Sequence, residues 1–260
     1  NTVGFRAGYL TQRYQGFQAF AELNYVESFL SDYFDGVNGE VDRTLVADTE
    51  QFELNQFWLQ YSREFDYVEM NVRAGRQASA AIEERFVGNS GSRQGEQTYD
   101  SVALAMRFGE NARWTFEYGY LDKVLRLFDE DSLDYESDSH AARLAYVSDE
   151  LGTISLFGVL LDLEDDAPSL SNQTYGISIA KPPVSQDRID ILYYLGFAYQ
   201  KEYGSNPGNF DVFSIYTEVG LSFPSIGRFS IGYEMSSSDG GNDAFQYSLS
   251  SGLRLLRIAD

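Results

Sequence analysis

The 260-residue chain has no cysteine, a single histidine and few basic side chains, 19 against 40 acidic ones. The absence of cysteine excludes disulfide bonds, thiolate metal sites and a cysteine nucleophile. One histidine excludes a multi-histidine zinc or iron site. The net charge of -21 argues against nucleic-acid binding, because a protein must neutralise phosphates to bind nucleic acids well. Long apolar runs are also missing: the longest, Leu156 to Leu161, is far below the roughly 20 residues of a membrane helix.

Tyrosine and phenylalanine, in contrast, are abundant at 19 residues each, and they belong to an alternating pattern. Apolar residues occupy every second position along most of the chain, with polar or small residues between them. Alternation of this length predicts β-strands with one apolar and one polar face, and we find no convincing amphipathic helix. The pattern covers residues 3–9, 17–25, 57–61, 68–74, 102–108, 114–120, 142–146, 154–160, 175–179, 189–199, 213–221, 229–235 and 245–249.

The breaks between these strands are short and long in turn. Such a meander, with tight turns at one end and extended loops at the other, is typical of a transmembrane up-and-down β-barrel. At roughly 20 residues per strand with its connection, the chain would hold about thirteen strands, within an expected range of about 12–14. The short breaks are at residues 12–16, 62–66, 109–112, 148–152, 181–187 and 224–227, and the long ones are at residues 27–51, 77–98, 122–139, 162–172, 200–210 and 237–244.

We therefore predict an all-β fold, a transmembrane antiparallel β-barrel in the bacterial outer membrane, with residues 1–260 forming a single domain. The apolar face would contact lipid and the polar face would line the lumen, which explains a mean hydropathy of only -0.33 in a membrane protein. A soluble β-sandwich or lipocalin-like barrel, with the two faces reversed, stays open because the period alone does not separate these folds.

A count of about thirteen strands conflicts with bacterial barrels, which have even strand numbers. The strand at Thr2 already runs away from the loop side, and the last residues, 255–260, lack a terminal aromatic residue. We expect residues 1–260 to lack one strand at the N-terminus and further strands at the C-terminus; a miscounted strand is the competing explanation. No signal peptide is recognisable, so the sequence is at most a mature form.

One block of the sequence resembles a known family. A Gly-Arg-Gln strand end at residues 75–77 is followed by Arg-Phe-Val-Gly-Asn at residues 85–89 and by Gln-Thr-Tyr-Asp at residues 97–100. This succession resembles the alginate-export type of outer-membrane porin, and a weaker likeness extends over most of the chain, although Ser92 stands where an aromatic residue is expected. The resemblance implies a barrel of about eighteen strands and passive passage of anionic solutes, with alginate as the best-known case.

If the apolar face contacts lipid, the alternation also determines which charges face the lumen, because a charge on the lipid face would cost about 2–4 kcal/mol at the midplane. Arginine forks match carboxylates and phosphates, so inward arginines predict an anion-selecting constriction. A ladder of Arg–Glu pairs that ties the strands together explains the same pattern equally well. The inward acids are Glu22, Glu69, Glu117, Asp190, Glu218 and Glu234; the candidate pore-lining residues are Arg6, Arg73, Arg107, Arg113, Arg143 and Arg228 on the strands, with Arg76, Arg85 and Arg93 in or beside the long loop after the fourth strand.

Most of the negative charge lies in the long loops. Carboxylate clusters on loops offer hard oxygen ligands for Ca²⁺, and the weak candidates here are Asp162, Glu164, Asp165 and Asp166. None has the spacing of a calcium-binding loop. Solvated acidic loops, which would also meet divalent ions bridging lipopolysaccharide, are the simpler explanation.

The succession Asp138-Ser139-His140 invites comparison with a hydrolase triad. Neighbouring strand residues point to opposite faces, so Ser139 could not serve as a nucleophile for His140. An outer-membrane phospholipase places its serine two residues after the histidine, where this chain has Ala142. We predict no catalysis and no cofactor, and we expect His140 at a strand end beside a loop.

The leading hypothesis is a monomeric porin-like channel for small anionic or oligosaccharide solutes, embedded in membrane lipid and lipopolysaccharide. The alternative is a plugged barrel with a structural or adhesive role and acidic Ca²⁺-binding loops. A soluble β-barrel binding protein is a third hypothesis. No nucleic-acid partner is expected.

Overall fold

The computed structural model describes residues 2–29, 34, 42, 50–78, 85–89, 94–126, 134–183, 188–224, 226–240 and 244–250. Within them, twelve strands form one antiparallel sheet in which each strand pairs with the next. Short 3-10 turns lie at Glu110–Ala112 and Pro168–Leu170. The strands are β1 (Thr2–Leu10), β2 (Phe17–Ser28), β3 (Gln51–Phe65), β4 (Val68–Gln77), β5 (Thr98–Phe108), β6 (Trp114–Leu125), β7 (Tyr135–Ser148), β8 (Gly152–Leu161), β9 (Asn172–Lys181), β10 (Asp190–Glu202), β11 (Asp211–Phe223) and β12 (Gly227–Ser236).

No helix in the described part of the chain is long and apolar enough to cross a membrane.

The order of the strands confirms the predicted meander. Residues 66–67 alone connect β3 to β4, whereas residues 78–97 separate β4 from β5. Short connections therefore lie at one end of the sheet, the turn end, and long connections lie at the other, the loop end. Strands β1 and β12 are the two edges of the sheet, and no ladder joins them among the described residues.

The two faces of the sheet are apolar and exposed on one side, polar and buried on the other. On the first, the outer face, Leu156 lies between Leu144 and Ile177 in the cross-strand register, and it is 54% exposed. On the second, the inner face, its neighbour Ser155 is 2% exposed and pairs with Ser178, which is 4% exposed. A soluble sheet would bury the leucines and expose the serines, so the sheet has the two faces predicted for the wall of a membrane barrel.

A bulge in β3 keeps this division intact. The register of β2 and β3 shifts so that Glu22 lies opposite Gln56 and the next residue pairs with Leu54, which leaves Asn55 as the extra residue. The outer-face apolar positions accordingly change from even, as at Leu54, to odd, as at Phe57 and Leu59, and these three side chains stay exposed. Asn55 and Gln56 both reach the inner face, where both donate to Glu22 Oε1, at 2.7 and 3.2 Å.

The prediction of a thirteenth strand at residues 245–249 is wrong. This segment has no ladder with a neighbouring strand in the described structure; it makes one isolated parallel bridge, Leu249 with Val87. Phe245 and Leu249 are 7% and 2% exposed. The alternation reflects an extended segment that packs its apolar side against the inner face of the sheet rather than a strand within the wall.

The buried apolar residues form one main cluster on the inner face, near the loop end. Strands β5–β8, β10 and β11 contribute to it, and two segments on the inner face, the interior segments, cover it: residues 85–89 and residues 244–250. The members from the interior segments are Phe86, Val87, Phe245 and Leu249, and those from the strands and their ends include Tyr99, Leu121, Val124, Phe157, Val159, Leu161, Leu163, Phe210 and Val212. The inner face of β1–β4 is instead polar, with Asn24, Asn55, Gln60 and Gln77 all buried.

Contact between the outer face and lipid can be tested by placing a charge on that face. Leu156→Arg should lower the free energy of unfolding in lipid vesicles by about 2–4 kcal/mol, because it places a charge on the lipid face. Ile226→Arg, in the exposed turn between β11 and β12, is the matched control and should cost about 0–1 kcal/mol. Urea unfolding in vesicles measures both, and equal effects would contradict lipid contact at Leu156.

Candidate functional site

The connection between β4 and β5 crosses the inner face of the sheet. Its described parts, residues 85–89 and 94–97, contact opposite edges. Arg85 pairs with Glu234 on β12, whereas Glu96 pairs with Arg6 on β1. A single connection thus spans the interior from one edge strand to the other.

At the β12 end, Arg85 is enclosed by aromatic rings and a carboxylate. Its guanidinium carbon lies 4.4 Å from the ring centre of Tyr216 and 5.4 Å from that of Tyr247. Tyr247 also donates to Glu234 Oε1 at 2.8 Å. The side chains of Arg85 and Glu234 are 13% and 20% exposed. The charge of Arg85 is therefore compensated by Glu234, and its side chain is largely shielded from water. Arg85 thus anchors the β4–β5 connection to β12.

At the β1 end, a polar network holds residues 94–97. Arg6 pairs with Glu96 at 2.8 Å and donates to the carbonyl of Gln94 at 2.9 Å. Asn55 donates to Glu96 Oε2 at 3.1 Å as well as to Glu22. A Cβ at Gly4 would lie 2.9 Å from Gln94 Oε1, so the missing side chain there lets the interior segment approach β1 closely.

Between the two ends, the connection is tied to residues 244–250. Tyr99, fully buried, donates to the carbonyl of Gly88 at 2.5 Å. Gly88 N–H donates to the carbonyl of Leu249 at 2.8 Å, and Gln97 Nε2 donates to Gly88 at 2.9 Å. The two interior segments consequently form one layer inside the sheet.

A glutamine from the wall holds the second interior segment. Gln200 on β10 is 0% exposed. Its Nε2 donates to the carbonyl of Gln246 at 2.9 Å, and its Oε1 accepts from Gln246 N–H at 2.7 Å. The side-chain amide thereby pairs with a main-chain amide as a neighbouring strand would.

The inward arginines of the strands differ in their partners. Arg143 pairs with Glu117 at 2.7 Å, so the predicted Arg–Glu ladder exists at this position. Arg73 instead lies over the ring of Trp58, 4.0 Å from its centre, and donates twice to Gln60. Arg107 and Arg228 are exposed near the turn end of β5 and β12.

Two predicted pore-lining arginines lie elsewhere. Arg76 pairs in register with Phe57 and Asp100, so it lies on the outer face, where it forms two hydrogen bonds with Asp100 at 3.0 and 3.1 Å. Strand β4 continues to Gln77, and the alternation then turns Arg76 outward. Arg113 lies in a turn and pairs with Asp149 at 2.6 Å, which raises the pKa of Arg113. Arg93 lies outside the described residues.

Two of the acidic residues in the loop at 162–166, Asp162 and Asp166, have structural partners. Asp162 Oδ1 accepts from the hydroxyl of Ser205 at 2.8 Å and from Glu164 N–H at 3.2 Å. Asp166 Oδ2 accepts from Glu136 N–H at 2.7 Å. Across the described part of the chain, no three carboxylate or histidine side chains are grouped to hold a metal ion. Ca²⁺ binding at Asp162, Glu164, Asp165 and Asp166 stays a prediction.

His140 lies within β7 and not at its end, because β7 begins at Tyr135. Its Nδ1 is 2.7 Å from the hydroxyl of Tyr118, and its Nε2 is 3.7 Å from Asp138. Ser139 is buried and donates to the carbonyl of Asp162 at 3.1 Å. Ser139 and His140 therefore point to opposite faces, as predicted, and form no nucleophile–base pair.

Several contributors escaped the sequence-based predictions. Glu96, Tyr216, Tyr247 and Gln200 hold the interior segments, and Trp58 and Gln60 surround Arg73. Their strand positions predict inward side chains for Gln60 and Gln200, but only the fold brings residues so distant in sequence together.

Comparisons with known proteins agree with a sheet that forms the wall of a membrane barrel. The model of the family described as "Alginate export" matches residues 8–154, which is more than half of the chain. The chain belongs to the alginate-export family. No curated protein matched the sequence.

Solved structures resembling this family member are outer-membrane porins. OpdK from Pseudomonas aeruginosa is 15% identical with a TM-score of 0.63, and the match covers 90% of this chain and 60% of OpdK. OccD3 (OpdP) from the same organism is 14% identical with a TM-score of 0.64, covering 90% and 52%. A BenF-like porin from Pseudomonas fluorescens Pf-5 is 15% identical with a TM-score of 0.63, covering 90% and 59%. The chain thus spans about 60% or less of the length of these porins.

These comparisons place this alginate-export family member in the bacterial outer membrane, embedded in lipid. The family and the similar structures are porins or channels rather than enzymes. This agrees with the opposite orientations of Ser139 and His140. The hypothesis of a soluble binding protein is contradicted, and the family confirms the prediction of no catalysis.

The anchor at Arg85 makes a second prediction. Arg85→Met should destabilise the protein by about 2–4 kcal/mol, because it leaves Glu234 without its cation in a largely buried site. Adding Glu234→Gln should recover part of this loss, so the double-mutant cycle should give a coupling energy of about 1–3 kcal/mol.

The pair Arg76–Asp100 on the outer face, with side chains 28% and 35% exposed, is the matched control. The pair lies at the loop end of β4 and β5, near the membrane interface where water reaches the outer face. The same substitutions there should therefore give a coupling energy below about 1 kcal/mol. Urea unfolding in lipid vesicles measures both cycles, and additive effects at Arg85 and Glu234 would contradict the anchor.

Proposed function

We propose that this chain forms part of the wall of a passive outer-membrane channel for small anionic or oligosaccharide solutes, with arginines in its interior. The observation that carries the proposal is the polar inner face of β1–β4, where buried amides replace an apolar core. These amides are hydrogen-bonded, Asn24 to the carbonyl of Gln94 and Asn55 to Glu22 and Glu96, and a polar interior of this kind is typical of an outer-membrane channel. The passage would follow β1–β4, since the apolar cluster covers the inner face of β5–β8, β10 and β11.

The electrostatics of the interior make the anionic preference depend on few residues. Arg6, Arg85 and Arg143 each have a carboxylate partner, so their fields are partly cancelled. Compensated arginines contribute less to the potential that a passing solute meets. An interior arginine without a carboxylate partner would therefore dominate the selection of anions.

The plugged barrel is a second candidate function. It is favoured by the interior layer of residues 85–89 and 244–250, which packs against β8, β10 and β11 near the loop end. In this alternative, the acidic loops act as a structural or adhesive surface, and Ca²⁺ would bind among them. Either protein would be a monomer whose loop-end rim meets lipopolysaccharide.

Planar-bilayer recording separates these functions. The purified protein should give stable current in potassium chloride, and a salt gradient should give a reversal potential displaced toward that of chloride. Uronate oligosaccharides would then be added to one side of the bilayer only. A current carried by these anions toward the other side would extend the preference to saccharides. Heat-denatured protein in the same detergent is the control for detergent leaks.

A silent barrel would favour the plugged alternative. Strict preference for potassium would contradict an anion channel, because the arginines would then not control passage.

A further inference from the structure

The turn end of the sheet holds a polar cavity that plays no part in the proposed passage. This turn-end cavity lies between the β1–β2 connection and the β3–β4 hairpin, and its volume is about 560 Å³, within the range of small-molecule sites. Four of the side chains that line it are charged, two cationic and two anionic: Arg13, Arg63, Glu64 and Glu69.

The main chain fixes the two walls of the cavity against each other. Ser62 N–H donates to the carbonyl of Gly16 at 2.8 Å. A Cβ at Gly16 would lie 2.6 Å from the carbonyl oxygen of Ser62, and the φ of +89° also favours glycine. The connection that carries Arg13 is therefore held close to the strand that carries Arg63.

Aromatic side chains show at which depth the cavity opens. The rings of Phe17 and Tyr61 are 4.8 Å apart, and Phe65 and Tyr67 are 51% and 77% exposed. The guanidinium of Arg63 lies 5.0 Å from the centre of the Phe65 ring. Exposed aromatic residues at strand ends mark the interface between membrane and water, so the cavity opens at the level of the lipid headgroups.

The charges around the cavity have no ion-pair partners in the described part of the chain. This holds for both arginines, Arg13 and Arg63, and for both glutamates. Glu64 lies directly opposite Glu69 in the register of β3 and β4, an arrangement of like charges that is unfavourable by itself. Arg107 lies opposite Glu69 on the other side but forms no ion pair with it. A ligand with one positive and one negative group would compensate both sets of charges.

We propose that the turn-end cavity binds the headgroup of a phospholipid that carries a phosphate and a primary ammonium, as phosphatidylethanolamine does. Arg13 and Arg63 bind the phosphate, because guanidinium groups match phosphate oxygens. Glu64 and Glu69 accept hydrogen bonds from the ammonium, and the acyl chains lie along the outer face. This lipid site is independent of whether the barrel conducts.

The pairing of charges also determines which lipids bind poorly. Phosphatidylglycerol has a phosphate but no cation, so both glutamates would face an anionic ligand without compensation. Phosphatidylcholine has a cation, but its quaternary nitrogen has no N–H to donate to a carboxylate. The site should therefore prefer phosphatidylethanolamine to both.

Native mass spectrometry of the delipidated full chain in a non-ionic detergent measures this preference. The protein is titrated with dimyristoyl forms of phosphatidylethanolamine, phosphatidylcholine and phosphatidylglycerol, and the lipid-bound fraction is followed. The half-saturating concentration of phosphatidylethanolamine should be lower than that of the other two lipids by about fivefold or more, because charge-assisted hydrogen bonds form at both ends of its headgroup.

Substitutions at the two ends of the site should act in different ways. Arg63→Gln should raise the half-saturating concentration of all three lipids by about fivefold, because each carries the phosphate. Glu64→Gln combined with Glu69→Gln should instead abolish the preference for phosphatidylethanolamine and strengthen the binding of phosphatidylglycerol. A merely structural role of the glutamates would not improve the binding of any lipid.

Arg188→Gln is the matched control for Arg63→Gln. Arg188 is also an exposed arginine at the turn end, but it lies outside the cavity and pairs with Asp190 at 3.4 Å. Its substitution should change the half-saturating concentrations by less than about twofold, because it alters only the distant field. Circular dichroism verifies that each variant keeps its β-sheet.

Free glycerophosphoethanolamine distinguishes a lipid from a soluble headgroup. It should not displace phosphatidylethanolamine at equal concentration, because it lacks the acyl chains that contact the outer face. Displacement at equal concentration would overturn the lipid as the ligand. Equal binding of the three lipids, unchanged binding with Arg63→Gln, an equal loss with Arg188→Gln, or a preference that survives both glutamate substitutions would each overturn the site.

Discussion

The structure depends on one constraint: inside a membrane every main-chain N–H and C=O must be paired by the protein itself, because lipid offers no partner. The meander satisfies this constraint between successive strands, from β1 to β12. Each strand then presents one face to lipid and one to the interior. The exposed Leu156 and the buried Ser155 are both consequences of that division. The bulge at Asn55 belongs to the same constraint, since it moves the apolar side chains of β3 back to the outer face without breaking the pairing.

The interior obeys a different rule, because its charges must be compensated where water is scarce. Arg85, Arg143 and Arg6 each have a carboxylate partner. These pairs connect elements far apart in the chain, and breaking one would leave a buried charge. Arg73 is held by a ring and an amide instead. Compensation thus separates the arginines that hold the interior together from Arg73, which has no carboxylate partner among the described residues.

The alternation of apolar residues predicted the strands well because it follows directly from the two faces. Residues 189–199 were predicted as strand, and β10 runs from Asp190 to Glu202. The same signal failed at residues 245–249, because any extended segment with one apolar side alternates, whether it pairs in a wall or packs inside one. Arg76 was placed in or beside the long loop and predicted to line the pore, although extending the alternation from Val72 and Ala74 would have placed it on the outer face.

The candidate site was less predictable than the wall because its contacts join residues that no local pattern relates. Arg85 meets Glu234 across 149 positions in sequence, and Gln200 meets Gln246 across 46. These contacts come from side chains rather than from strand ladders. An interior layer attached in this way can change its residues without disturbing the pairing of the wall, since the wall's hydrogen bonds are made in the backbone. In the proposed channel, selection of solutes would therefore depend on the β4–β5 connection and the side chains facing it, whereas the main-chain pairing of the alternating strands would stay the same.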